Sequence, residues 1–287
     1  MKSGIIQLLL LSSISIGFFA CGTRNSLETE TKNLDSLLQH DTLKEQIQEF
    51  VHIFPSQVKV ARLFKNAGLK YQSTELAPPA CVEKLTNKQE KALALGILGV
   101  DMVYSAMNNQ TQLAMTNMKI SRNLATDLGL ESVYAEQDYV RKFEQNLGNQ
   151  DTLEALIKDL FAETDAFLKD NKKLDLNLLS FAGGWTESVY LASTYAYASK
   201  NKGIVQLIGD QLISLEPLIQ LFRENKREAN NDELVMELEG VRNAIRAGIV
   251  TEETDTEPMV IEMDDKKLEN LISSLQIIRN RIIKPKL

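Results

Sequence analysis

Apolar residues recur at three- and four-residue spacing along most of the chain, the mark of helices that bury one face. In 34–51, Leu34, Leu37, Leu38, Ile47 and Val51 fit a helix better than a strand. Phe54-Pro55-Ser56 breaks it, and Ser56 can cap a second helix through Val58, Ala61, Leu63 and Phe64 that stops at Gly68. The stretch 71–85, with Pro78-Pro79, reads as an extended crossing. Beyond it helix follows helix. The pattern predicts 88–108, 112–128 closed by Gly129, and 132–147 closed by Gly148. Asp151 can cap an amphipathic helix through Leu153, Leu156, Ile157, Leu160, Phe161 and Leu168. Helices over 174–200, 204–222, 232–250 and 266–283 complete the series, and the acidic stretch 251–265 reads as a loop. No run alternates with the period of two that a half-buried strand needs. The fold expected is all-α: an antiparallel multi-helix bundle of about nine helices, since short links favour antiparallel packing of successive helices. Helical-repeat packing is the alternative, but no fixed period recurs.

The first twenty residues are apolar in another way. Lys2 is followed by an apolar run, Ile5 to Leu11 and then Ile14 to Phe19, and by the small residue Ala20. A basic start, an apolar middle and a small-residue exit predict a secretory signal over 1–20. Ser12, Ser13, Ser15 and Gly17 interrupt the run, so it falls short of the ~20 apolar residues that a membrane span prefers. Ala20-Cys21-Gly22 looks like a bacterial lipobox, although Phe18 stands where an aliphatic residue is usual. That resemblance implies cleavage before Cys21 and thioether lipidation of its sulfur. Residues 21–32 are polar and would form a tether, leaving 33–287 as a single helical domain. Glu28 and Glu30 are the first acidic residues after Cys21, and the absence of a dense acidic run favours an outer-membrane anchor facing the periplasm.

Composition narrows the function classes. With 44% hydrophobic residues, 6 Pro and 14 Gly, the chain can bury a core. A formal charge of −7 argues against nucleic acid as a partner, because phosphate contacts need clustered Lys and Arg. Of the two cysteines, Cys21 would carry lipid, so Cys81 is expected to be unpaired, buried and inert. The two histidines, His40 and His52, both lie near the N-terminus, which leaves few ways to build a Ser/His or Cys/His nucleophile. Glu49-Phe50-Val51-His52 has the Glu-x-x-His form of di-iron bundles but no second copy. Glu252, Glu253, Asp255, Glu257, Glu262, Asp264 and Asp265 lack the glycine and ligand spacing of a calcium loop. No metal or cofactor is therefore expected.

Two segments remain as candidate chemistry. Asp101 is apolar-flanked on both sides, from Ala92 to Val103, so its carboxyl must be paired, hydrogen-bonded or protonated. It could line a ligand cleft with Tyr104, or it could be a structural group bonded to an Arg or Tyr of the adjacent helix, such as Arg122. Gly96 and Gly99 cost ~1 kcal/mol each in a helix, which close approach of a neighbouring backbone would offset. The second segment is Phe181-Ala182-Gly183-Gly184-Trp185-Thr186-Glu187-Ser188-Val189-Tyr190, which holds the single Trp. Gly183-Gly184 would either kink a helix or admit a second one closely. Trp185, Glu187 and Tyr190 could line a pocket for a sugar, peptide or lipid head group, or could simply be core.

Residues 91–104, 124–130 and 183–192 resemble segments of a group of all-helical lipoproteins of bacterial envelopes, with a weaker likeness at Phe54-Pro55-Ser56. The resemblance implies an exported helical protein and carries no activity with it. The expectation is thus a lipid-anchored, non-enzymatic module that binds an envelope protein or small ligand, with Asp101, Tyr104, Trp185, Glu187 and Tyr190 joined in one cleft. The competing expectation is a hydrolase or lyase using Asp101 and Glu187 as an acid–base pair, which requires the two carboxyls to meet in an open pocket.

Overall fold

The computed structural model describes residues 45, 47, 50, 57–136, 138–225, 231–252 and 259–284. The expected signal 1–20, Cys21, the tether and most of the helix expected over 34–51 lie outside the described residues. Those described are overwhelmingly helical, as an all-α multi-helix bundle requires. Helix α1 spans Gln57–Asn66 and ends at Gly68, whose φ of +101° suits glycine. Short 3₁₀ turns at Ser73–Glu75 and Pro79–Lys84 make up the crossing segment. Then come α2 (Lys88–Met107), α3 (Thr111–Asp127), α4 (Glu131–Glu136), α5 (Tyr139–Gln145), α6 (Gln150–Asp170) and α7 (Leu174–Ser199). The chain continues through α8 (Lys202–Asp210), α9 (Leu212–Glu224) and α10 (Asp232–Arg246) to α11 (Asp265–Ile283). No helix among the described residues is long and apolar enough to cross a membrane.

Helices α2 and α7 form the centre. Ala92 to Met107 of α2 and Ala182 to Ser193 of α7 are buried throughout, as expected of helices apolar on all sides. One core cluster runs from Ile47 and Phe50 to Ile282. Phe50 docks edge-on against Phe181 of α7, with ring centroids 4.8 Å apart. Helices α1, α3 and α6 pack on α2, and α8 and α11 pack on α7, while α10 lies against α11. The crossing of α2 over α7 is backbone against backbone. A methyl group added at Gly96 would lie 1.9 Å from the Ser180 carbonyl oxygen and 2.6 Å from the Gly184 nitrogen. One added at Gly183 would lie 2.1 Å from the Leu93 carbonyl oxygen. Of the two roles open to Gly183-Gly184, close approach is the one observed.

Several boundaries depart from the sequence pattern. The helix expected over 132–147 is two, α4 and α5, because Asp138 adopts the left-handed conformation at φ +47°. The helix expected over 204–222 is also two, α8 and α9, meeting at Gln211, although apolar spacing runs on across the join. Asn149, not Asp151, caps α6 by accepting a hydrogen bond from the Thr152 N–H. The stretch expected as an acidic loop over 251–265 holds part of a two-stranded antiparallel hairpin, β1 (Ile249–Thr251) with β2 (Val260–Ile261), and Ile249 pairs with Ile261. Its acidic end starts the last helix, where Asp264 Oδ1 caps α11 by accepting the Lys267 N–H at 2.8 Å.

The glycine contacts set an expectation for stability. Gly96→Ala and Gly183→Ala must push α2 and α7 apart, and each is expected to cost about 1–3 kcal/mol or more. Gly240 lies inside α10 with nothing within 4 Å of an added methyl group. Gly240→Ala is accordingly expected to stabilise by about 0.5–1 kcal/mol. Urea unfolding midpoints of the three variants check this.

Candidate functional site

About one turn beyond the glycine contact on each helix, the same crossing sets Asp101 of α2 beside Glu187 of α7. Both residues have no solvent exposure at all. Asp101 stands in an apolar run of the sequence while Glu187 lies between Thr186 and Ser188, and the fold brings the two together. Asp101 Oδ2 accepts the Ala77 N–H at 2.9 Å. Among the described residues its other oxygen, Oδ1, meets no N–H or hydroxyl donor, but the carboxyl lies within hydrogen-bonding reach of Glu187. Two carboxylates cannot bond without a proton between them. Burial first, and the neighbouring Glu187 charge second, hold the Asp101 carboxyl well above the usual carboxylate range. Of the two carboxyls, Asp101 is the one placed to hold the proton that this contact needs and to donate it to Glu187.

Glu187 carries the negative charge, and Arg279 of α11 neutralises it. Arg279 Nε donates to Glu187 Oε2 at 2.5 Å and Nη2 donates to Oε1 at 2.8 Å, the bidentate fork that suits a carboxylate. The guanidinium is 5% exposed and lies 3.8 Å from the Tyr190 ring centroid, a cation–π contact. Arg279 Nη2 also donates to the Glu75 carbonyl oxygen at 2.7 Å, and the Tyr190 hydroxyl donates to Glu75 Oε2 at 2.7 Å. The site thus gathers the carboxyls of Asp101 and Glu187 and one cation, with the Glu75 carboxylate at its edge, roofed by the crossing segment. Arg122, the partner suggested by sequence for Asp101, is exposed on α3 and takes no part.

Tyr104 belongs to the rim of this cluster. Its hydroxyl donates to the Lys70 carbonyl oxygen at 2.5 Å and accepts the Gln72 N–H at 3.1 Å, while its ring tilts against Tyr71 at 5.3 Å. Cys81 is buried beside the carboxyls, and desolvation followed by the charges of Asp101 and Glu187 pushes its thiol up to about 11. So protonated a thiol is a poor nucleophile. Trp185 stands apart. Two residues before Glu187 it points to the other side of α7, where its Nε1 donates to Ser214 Oγ of α9 at 3.0 Å. Asp101, Tyr104, Glu187 and Tyr190 therefore gather at one place, and the single cleft expected to include Trp185 does not form.

The pattern of the sequence does not single out Arg279 or Glu75. Arg279 lies four residues after Leu275 and eight after Leu271, inside the apolar stripe of the last helix, and a cation in such a stripe signals a buried partner. Glu75 contributes chiefly a main-chain carbonyl, which leaves no side-chain signature. As chemistry, the sealed cluster suits holding charge rather than turnover: neither carboxyl is open to a substrate in this conformation, and Glu187 is already occupied by Arg279. No protein-family model matches the chain, and no match to it was found among curated proteins or solved structures.

The proton on Asp101 has a thermodynamic sign. A carboxyl whose folded-state affinity exceeds the unfolded value of about 3.9 contributes most below that pH and loses its contribution as pH rises towards the folded value. Wild-type stability is thus expected to fall with pH from about pH 4 upward, with up to about 1.4 kcal/mol per pH unit from this site. Asp101→Asn reproduces the neutral acid, so it should fold and lack that slope. Arg279→Met leaves Glu187 buried without its cation and is expected to cost about 3–5 kcal/mol. Chemical denaturation over a pH series measures all three.

Proposed function

We propose that the chain is a lipid-anchored protein of the bacterial cell envelope, held to the membrane through Cys21 and acting as a non-enzymatic binding or interaction module. The reading of the anchor rests on the basic start, apolar run and small-residue exit before Cys21. The outer membrane, with the helical part facing the periplasm, is the address that the residues after Cys21 favour. The likeness of 91–104, 124–130 and 183–192 to envelope lipoproteins points the same way.

One observation carries the non-enzymatic part: the best acid–base pair in the chain, Asp101 and Glu187, is fully buried and committed to Arg279 and Ala77. A hydrolase or lyase would need that pair to face a pocket. Its closeness and the raised proton affinity of Asp101 are what such an enzyme would also use, so the two readings separate by consequence. Glu187→Gln removes the anion that Arg279 neutralises and so costs stability on either reading, and only an acid–base enzyme also loses a reaction. A structural tie loses stability alone.

The anchor has a direct test. In cells fed a clickable fatty-acid analogue, wild type is expected to take up label and sediment with membranes. Cys21→Ala is expected to do neither. Equal labelling of the two proteins would refute the lipid anchor.

A further inference from the structure

The crossing segment 70–77 is held from outside itself. Its own turn bonds are long, Glu75 N–H to Gln72 O at 3.3 Å and Leu76 N–H to Ser73 O at 3.4 Å. Firmer contacts come from three helices beneath it. Tyr104 of α2 grips the Lys70 carbonyl and the Gln72 N–H, and Asp101 of α2 accepts the Ala77 N–H. Tyr190 of α7 holds the Glu75 carboxylate, and Arg279 of α11 holds the Glu75 carbonyl. Ser73 and Thr74 face solvent, while Leu76 and Ala77 are buried over the carboxyl pair. The segment is a thin cover on that pair: apart from the 3₁₀ turn that carries Cys81, the other walls are whole helices.

We propose that residues 70–77 form a proton-gated strap, closed over Asp101 and Glu187 only while one proton is held between the two carboxyls. With that proton the pocket holds one anion against one guanidinium. Without it there are two buried anions in contact beside one guanidinium, an excess charge that a buried site does not tolerate. Hydration is the available relief. Parting α2 from α7 would break the glycine-packed crossing, and withdrawing α11 would pull Arg279 off Glu187. Lifting 70–77 costs a few side-chain anchors, and local openings of this kind need far less free energy than global unfolding.

Among the described residues, the surroundings supply no second cation. From the crossing segment come Tyr71, Glu75 and Cys81; from α2, Tyr104; from α7, Glu187 and Tyr190; from α11, Arg279. The Cys81 thiol is pushed up to about 11, and burial raises the Tyr71, Tyr104 and Tyr190 hydroxyls above their ordinary range, so none of them ionises near neutrality. On α3, Lys119 is paired with Glu144, Asp127 with Lys91, and Arg122 is exposed. The inference stands on this geometry and does not depend on the lipid anchor or on a binding role.

Amide hydrogen exchange of the full chain from about pH 6 to about pH 9, corrected for the intrinsic pH dependence of exchange, tests it. In wild type, protection of the 71–77 amides is expected to fall by up to about tenfold per pH unit while opening releases the Asp101 proton, and to level off once Asp101 is ionised in the closed strap, a pH-dependent step during which the amides of α2 and α7 stay protected. Asp101→Asn should remove the step. Tyr190→Phe loosens one anchor and leaves the pair intact, so it should speed strap exchange several-fold at every pH and keep the step. Flat strap protection in wild type, a step that survives Asp101→Asn, or parallel loss of protection across α2 and α7 would each overturn the proposal. Should Asp101→Asn not fold, the wild-type and Tyr190→Phe profiles still decide it.

Discussion

Everything at the centre of this protein follows from how closely α2 and α7 approach. Two glycines, Gly96 and Gly183, let the two backbones touch where side chains would hold them apart. At that contact an added methyl group would lie 1.9 or 2.1 Å from the facing carbonyl oxygen, so the helices meet with no side chain between them. The carboxyls they carry at the crossing are buried and need partners within the protein. Asp101 and Glu187 are those groups, and they find each other. Like charges in contact cannot both persist in a dry interior, so the pair keeps one proton and borrows one cation.

The borrowed cation ties the C-terminal helix into the core. Arg279 reaches Glu187 from α11, stacks on Tyr190 of α7 and holds the Glu75 carbonyl. One guanidinium therefore joins residues far apart in sequence, from the crossing segment near the N-terminal side to the last helix. A buried ion pair is weak evidence of net stabilisation compared with apolar packing. Its value here is in specifying which way α11 and the segment 70–77 sit, because a wrong register would leave Glu187 without its cation.

The all-α architecture is legible in the sequence because apolar spacing of three and four persists through nearly every segment. Asp101 and the Gly183-Gly184 pair are legible as anomalies, a charge and two helix-weakening residues where apolar residues should be. Breaks are harder to see. Asp138 turns left-handed and Gln211 divides α8 from α9 while the apolar period runs on, so periodicity alone merges each pair of helices. The hairpin β1–β2 is hidden by acidic residues and by strands of only two and three residues. Trp185 is misplaced when aromatic character is weighed above helical phase: two residues along a helix is about 200°, which turns it away from Glu187 and towards Ser214. Arg279 is easy to pass over, although its position in an apolar stripe marks it as buried. The roof of the site is made of main-chain groups of Glu75 and Ala77, which no side-chain pattern encodes.

This whole arrangement depends on Asp101 holding a proton in the folded protein at neutral pH. Infrared difference spectroscopy of wild type against Asp101→Asn reads that proton directly, because the carbonyl stretch of a carboxylic acid is separate from those of carboxylates. A carboxylic-acid band at neutral pH in wild type, missing from Asp101→Asn, is the result expected. Spectra with no such band in the folded wild-type protein would mean that two ionised carboxylates coexist beside Arg279, and a proton-sharing core would be ruled out.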